Sequence, residues 1–457
     1  MPRLLRFPFG RWVDPAAAFV ALFGGETDVV WLDSGPAATT GRSYLGRASR
    51  VVSSETHETV IDVLREDLDA HRLEEPADGF ALGWVGWLGY ENRFETMGTP
   101  RTRVSPYPDA AFLFLDRAIE FDHATRAVTL IALGDGPEAE LRAWRDRVVD
   151  ALASTQAAGG LGSPTAFTES LSGPLVAHWR DSDAEYLEKI RRCQEAIAAG
   201  DAYLLCLTTS VHIDTRPDPV SAYLELRTAS PGQHGALLRI GDVSLLSSSP
   251  EQFMLVTPHV TVESRPVKGT RPRGHTPESD AAFRADLATS EKERAENLMI
   301  VDLMRNDIGR VSRVGSVTVP RLLEVETLAP VHQLVSTVRG ILQPGLHGMD
   351  AVVACFPAGS MTGTPKSSAT RILDLLEQSP RGIYSGAFGY FSLDGRIDLA
   401  MVIRSIVLTP EGATIGTGGG ITALSDPLEE LDEVKLKAAA LIRALEASTR
   451  RGEIPSN

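Results

Sequence analysis

At 457 residues, 43% hydrophobic and 23% charged, the chain has the make-up of a globular protein with a substantial core, in two or three domains or one two-lobed unit. A net charge of −15 argues against broad nucleic-acid binding, which needs a cationic face. Cys193, Cys206 and Cys355 are scattered and odd in number and suggest neither a disulfide framework nor a zinc site, and no apolar run is long enough to span a membrane.

The N-terminal stretch MPRLLRFPFGRWVDPAAAFVALFGG is interrupted by Pro8, Arg11 and Asp14 before a signal-peptide core can form, so a cytoplasmic protein is expected. GFALGWVGWLGYE (79–91) alternates large with small residues and reads as a strand with close backbone neighbours. AELRAWRDRVVDALAST (139–155) has helical period, and the Gly-, Ser-, Thr- and Pro-rich QAAGGLGSPTAFTESLSGP (156–174) reads as a linker. In SDAEYLEKIRRCQEAIAAG, Ser182 and Glu185 form a capping-box pattern, Gly200 stops the helix, and Leu187, Ile190 and Ile197 mark its apolar side. Strand-like runs follow at 203–213 and 243–256 and in HVTVES, and helices at 290–305, 367–378 and 427–446. Strands and helices do not alternate regularly, so the expected class is α+β with much antiparallel sheet.

Four segments carry chemistry. In VESRPVKGTRPRG (262–274), Pro266, Gly269, Pro272 and Gly274 are turn residues, with Lys268 among Arg265, Arg271 and Arg273. This fits either a solvated basic turn or a lysine held on a rigid loop. Ser290 is an N-cap candidate with Glu293 at the capping-box position; Glu293 and Glu296 lie at i, i+3, on a side that continues through Ile300 and Leu303. Asp426, Pro427 and Glu429 open a second helix on which Glu430, Glu433 and Lys437 share a face, apart from a stripe of Leu431, Val434, Ala438, Leu441 and Leu445. Two E-x-x-E pairs facing one cavity would make an oxygen-only site suited to Mg²⁺, although such pairs are also common on solvated helices. In ATIGTGGGITALSDP (413–427), Gly418, Gly419 and Gly420 follow a short strand and let backbone amides approach a carboxylate or phosphate. The stretch lacks the spacing of a dinucleotide or P-loop motif. Upstream lie Tyr384 and Arg404, the latter at the end of the apolar run DLAMVI and suited to a carboxylate.

SSSPEQF, RPVKGTRPRG, KERAENLMIVDLMRNDIGRV, FPAGSMTGTPK, RGIYSGAFGY and GTGGGITALSDP occur in the order that resembles the chorismate-utilising enzymes. That family includes anthranilate synthase component I, aminodeoxychorismate synthase component I, and isochorismate and salicylate synthases. The match is dense over 180–445, and WLDSGP (31–36) more loosely resembles the N-terminal region of the amidotransferase-linked members, where it could line a tryptophan-like pocket. The resemblance implies a two-lobed α+β fold of packed antiparallel sheets surrounded by helices. It divides the chain into an N-terminal lobe at 1–155, a linker at 156–178 and a catalytic domain at 179–450. Glu296 and Glu433 would hold Mg²⁺, with Glu293 and Glu430 in support. The metal would neutralise the ring carboxylate, aided by the Gly418, Gly419 and Gly420 backbone, Thr270 and Lys437. Ser360 joins the substrate-binding set, Tyr384 and Arg404 would take the carboxylate of the enolpyruvyl arm, and Glu251 would be the general acid.

The lysine decides between branches of the family. Anthranilate synthases resemble P-[IV]-A-G-T-R at this loop, whereas the branch that aminates chorismate at C4 resembles P-[IV]-K-G-T. Lys268 would then be a nucleophile that attacks C2 before ammonia displaces it, with Arg271 and Arg273 expected to favour its neutral form. Leu204 stands where relatives that add water carry a lysine base and those that use ammonia carry glutamine, and Gln333 where many members have histidine. Ammonia would come from a separate glutaminase subunit, and the product would serve 4-aminobenzoate and folate synthesis. The alternatives are anthranilate synthase component I and a catalytically weak partner-binding subunit.

Overall fold

The computed structural model describes residues 3–57, 59–134, 138–157, 175–328 and 331–450. Among them, strands form two antiparallel sheets, one of twelve strands and one of ten. The class is α+β. The larger sheet joins N-terminal to C-terminal chain where Val29–Asp33 pairs with His234–Ile240, Leu32 opposite Ala236. The smaller sheet does so where Gly83–Leu88 pairs with Ala387–Ser392, Gly86 opposite Gly389. Each sheet therefore draws on both halves of the chain, and the division expected at 156–178 separates no sheet from another. Most of that expected linker, 158–174, lies outside the described residues.

The alternation of large and small residues in 83–88 has a direct cause. A Cβ on Gly86 would lie 2.0 Å from the Ala111 carbonyl oxygen, so the neighbouring strand can approach only a glycine. Elsewhere the two-residue period sorts side chains between faces. Val30 and Leu32 point into the core between the sheets, with Phe112, Phe253, Phe388 and Leu399. Val29 and Trp31 point to the other face, under the helices Pro15–Phe23, Pro219–Ala229 and Pro427–Arg450. There Trp31 stacks on Phe19 at 5.3 Å and meets the Tyr223 edge at 5.0 Å. No helix among the described residues is long and apolar enough to cross a membrane.

The helix Asp183–Ala198 starts with the expected Ser182–Glu185 capping box. Three expectations change. The run 243–256 is two strands, Val243–Ser249 and Gln252–Val256, and they belong to different sheets. The chain crosses from one sheet to the other at Pro250–Glu251, because proline cannot donate to a ladder. The segment read as a loop around Lys268 is an edge strand, Val267–Pro272, paired with Val331–Ile341. Finally, Gly418–Gly420 lie inside the strand Gly412–Ile421 and not in a loop after it.

Candidate active site

Two crossings between the sheets meet at one point. The first is Pro250–Glu251; the second, Val402–Arg404, joins Ile397–Met401 of the smaller sheet to Ser405–Thr409 of the larger. Backbone bonds tie them together: Met401 N–H donates to the Glu251 carbonyl at 3.0 Å and Ser248 N–H to the Arg404 carbonyl at 3.2 Å. Arg404 was expected to end a strand; it sits in the bend, at φ +51°. Such a break in both ladders opens a cavity of about 430 Å³. Every candidate residue lines it: Glu251, Lys268, Thr270, Glu293, Glu296, Ser360, Tyr384, Arg404, Gly418, Gly419, Gly420, Glu430, Glu433 and Lys437.

Lys268 reaches the cavity through a β-bulge. The pairing with Val331–Ile341 slips between Val267 and Thr270, and Gly269 takes φ +85°. A bulge re-aims the side chain it carries. A Cβ on Gly269 would meet the Glu293 carboxyl at 2.9 Å, so the position demands glycine twice over. The arginines expected to favour a neutral Lys268 do not face it. Arg271 donates to Asp286 at 2.7 Å and to Glu293 at 3.3 Å, and Arg273 to Asp280 at 2.7 Å. Burial pulls the Lys268 amine down, but Glu296, Cys206, Glu251 and Glu433 outweigh it, and the pKa is raised. In this state Lys268 is an ammonium.

The helices Glu291–Gly309 and Pro427–Arg450 bring their carboxylates to the opposite wall. Ser290 caps the first through Glu293 N–H, but the Glu293 side chain turns to Arg271 and does not complete a capping box. Ile300 and Leu303 are buried below, and so is the full stripe from Leu431 to Leu445 on the second helix. Glu430 accepts from Lys292 at 2.9 Å and from Ser425 at 2.8 Å. Glu433 pairs with Lys437 at 2.6 Å; burial alone would raise its pKa, but Lys437 holds it below the usual value. Glu296 differs from the other three. It is 7% exposed and accepts no hydrogen bond from the described residues, and burial, only partly offset by Lys268, pushes its pKa to about 7.

The glycine strand presents backbone to the cavity. Cys206 and Thr208 lie opposite Gly420 and Gly418. Their own amides donate elsewhere, Cys206 to the Thr362 carbonyl and Thr208 to Glu377. They are thus the non-hydrogen-bonded pairs of the ladder, which leaves the Gly418 and Gly420 amides pointing away from that partner strand. Lys437 donates to the Gly418 carbonyl at 2.8 Å from the same side. Next along the strand, the Tyr384 ring lies on Gly416, where a Cβ would come 2.1 Å from ring atom Cγ. Arg404 lacks an ion pair or side-chain hydrogen bond among the described residues, and burial lowers its pKa, with Tyr384 and Glu433 opposing. It is a desolvated cation free to take an anion. Glu251, 6% exposed, has its pKa raised by burial against the pull of Lys268, Ser360 and the Val267 backbone.

Sequence reasoning missed Lys292, Gly416, Met361 and the pairing of Arg271. Lys292 stands four residues before Glu296, which places it on the same helix face. Leu204 is buried beside Gly420, on the side that faces Glu296, and Gln333 lies opposite Thr270 on the cavity wall. The donor set is carboxylate oxygen alone, the choice of a hard divalent cation, and Glu296 is a buried carboxyl without a partner. The residues fit Mg²⁺ in this chemical sense. Among the described residues no three carboxylate, imidazole or thiolate groups converge on a metal position as they stand, because three glutamates are held by side-chain cations.

Residues 27–443 match the family model described as chorismate binding enzyme. The chain belongs to the chorismate binding enzyme family. It is 44% identical to an aminodeoxychorismate synthase of Streptomyces griseus over 97% of its own length and 64% of that protein's. It therefore spans less than two thirds of that relative. It is 36% identical to the aminodeoxychorismate synthase component 1 of Escherichia coli, over 88% of this chain and 86% of that one. Among solved structures, anthranilate synthase component I from Streptococcus pneumoniae superposes with a TM-score of 0.77 at 28% identity, covering 96% of this chain and 99% of that one. The two-lobed fold of this family, with packed antiparallel sheets surrounded by helices, is thus the fold of this chain.

Proposed function

We infer that the chain converts chorismate and ammonia to 4-amino-4-deoxychorismate, for 4-aminobenzoate and folate synthesis. The observation that carries this reading is Lys268, held on a glycine bulge in the same cavity as Glu251 and the four helix glutamates. In this reading Lys268 first gives up its ammonium proton to solvent; the neutral amine then forms a bond to C2 of the ring, the double bonds shift, and the 4-hydroxyl leaves as water with a proton from Glu251. Ammonia then bonds to C4 and the electron pair returns to Lys268, which is released; the ammonia gives up a proton. Glu251 suits the acid role because burial keeps it protonated above the usual carboxyl range.

Chorismate is a dianion, and the cavity has two places for its charges. Tyr384 and Arg404 receive the carboxylate of the enolpyruvyl arm. The Gly418 and Gly420 amides, Thr270 and Lys437 receive the ring carboxylate. Mg²⁺ would be held by Glu296 and Glu433 with Glu293 and Glu430 in support, and supplies the positive charge that lets a carboxylate approach these glutamates. Ammonia comes from a partner glutaminase; the component 1 name of the E. coli relative and the greater length of the S. griseus protein support this. The test is incubation with chorismate, Mg²⁺ and an ammonium salt, followed by mass spectrometry. A C4-amino product that keeps the enolpyruvyl group is expected. Anthranilate plus pyruvate would overturn the reading in favour of the anthranilate branch, and no turnover even with a glutaminase would leave a partner-binding subunit.

A further inference from the structure

Behind the cavity, the outer side of strand Leu204–Ile213 has a gap in its ladder. Its neighbours on that side are Gly363–Thr364 at one end and Ala177–Trp179 at the other, paired through residues 204–205 and 211–213. Between them, side chains take the place of a strand. Glu377 accepts from Thr208 N–H at 2.9 Å, and Arg381 donates to the Cys206 carbonyl at 2.9 Å. The two side chains form a bidentate pair, with Arg381 Nε and Nη2 donating to Glu377 at 2.9 and 2.7 Å. The remaining bonds of Arg381 run to the Met361 carbonyl at 2.6 Å and the Ser385 hydroxyl at 3.4 Å.

All five donors of this guanidinium are thereby used. They connect three cavity-lining segments: the strand at Cys206, the turn Gly359–Met361 that carries Ser360, and the bend that carries Tyr384. The backbone of Arg381 is held in turn from the N-terminal part of the chain. Glu91, 1% exposed, accepts from Arg381 N–H at 2.9 Å and from Gly382 N–H at 2.8 Å, and the Tyr90 ring lies 4.2 Å under the guanidinium.

We propose that Arg381, braced by Glu377 and Glu91, is a positioning residue that sets the wall formed by Cys206, Ser360 and Tyr384. It touches no reacting atom, and its role in turnover rests on the functional reading above. A buried ion pair with every donor satisfied contributes geometry more than net stability. The glutamate fork also explains why a charged pair occupies a place where an ordinary sheet would have a neighbouring strand.

The test uses Arg381→Lys, which keeps a charge against Glu377 but cannot span the Met361 and Cys206 carbonyls together. Alkylation by iodoacetamide is followed at each cysteine by peptide mass spectrometry, alongside chorismate kinetics. Labelling of Cys206 is expected to rise on the order of tenfold while Cys193 and Cys355 keep their wild-type rates, and KM for chorismate to rise by a similar factor with kcat changing less. Unchanged Cys206 labelling overturns the proposal, and so does a parallel rise at all three cysteines, which reports general loosening. If the wild type does not turn chorismate over, the functional reading fails while the labelling comparison still decides this one. Should Arg381→Lys not fold, Glu91→Gln provides the same comparison with the ion pair intact: Cys206 labelling above the other two is expected, and wild-type labelling at Cys206 overturns the proposal.

Discussion

Replacing Gly416 by alanine tests the geometry of the cavity without changing any charge. The added Cβ would lie 2.1, 2.4 and 2.6 Å from Cγ, Cδ1 and Cδ2 of Tyr384. These atoms are the root of the ring, not its free end, so rotation of the side chain does not relieve the contact. Carbon atoms settle at about 3.5 Å or more, so the ring must move by about 1.4 Å. Overpacking of this kind costs about 1–3 kcal/mol. A displacement near 1 Å in a positioning group costs on the order of 100-fold in rate. Gly416→Ala is therefore expected to lower kcat/KM for chorismate by on the order of 100-fold, with a stability loss of about 1–3 kcal/mol in urea unfolding. A double-mutant cycle isolates the cause: in a Tyr384→Ala background, where Cγ, Cδ1 and Cδ2 are gone, Gly416→Ala is expected to cost much less stability than in the wild type. If the two losses are instead equal, the contact between ring and glycine is not what makes position 416 a glycine, and the argument fails.

Lys268→Ala is expected to abolish C4 amination while chorismate still quenches the intrinsic fluorescence of the protein on binding; retained turnover would rule out a nucleophilic lysine. Glu251 must carry a proton to act, and its pKa lies above the ordinary value, so activity that depends on it is present below that raised pKa and lost as pH climbs through it. Glu251→Gln should lower kcat by on the order of 10²–10⁴ and remove the alkaline limb it causes, as measured by a pH–rate profile. Asp33 is buried against Arg227 at 2.8 Å and Tyr223 at 3.1 Å. Asp33→Ala strands the guanidinium and is expected to cost about 3–5 kcal/mol in denaturant unfolding, whereas a loss near zero would mean that Arg227 finds water.

The two carboxylate helices were legible because capping residues, i, i+3 spacing and an apolar stripe all report on the same local turn. The residues of the cavity were legible as a set through the order of their motifs. What was not legible was long-range pairing. The helix Pro277–Thr289 went unread, although Thr276 and Ser279 form a capping box and Pro277 occupies its first position. The carboxylate partners of Arg271 and Arg273, Asp286 and Asp280, lie on that helix, so the direction of the two arginines is set by an element whose pairing the sequence does not show. The glycine run was misplaced for a different reason. A tract of three glycines serves a loop and a strand that offers its backbone equally well, and only the register against Cys206 and Thr208 tells them apart. Likewise a proline and a glycine on either side of a lysine mark a turn and a bulged edge strand alike.

Arg271 and Arg273 spend their charge on helix carboxylates, which leaves Lys268 to the groups of the cavity. Were the arginines aimed at Lys268, their charge would favour its neutral amine. Instead the cavity sets Lys268, Arg271, Lys292, Arg404 and Lys437 against Glu251, Glu293, Glu296, Glu430 and Glu433. Lys268 stays protonated because Glu296 and its neighbours are negative, and Glu296 has a pKa near 7 because it is buried beside other carboxylates, with Lys268 as the opposing pull. The two groups answer to each other. Any event that takes negative charge away from Glu296 lowers the hold on the Lys268 proton, and from an ordinary amine pKa of about 10.4 each unit of that shift makes about tenfold more free amine at neutral pH. In the proposed reading, the protonation of Lys268 therefore answers to the charge on the glutamate wall and not to its own loop.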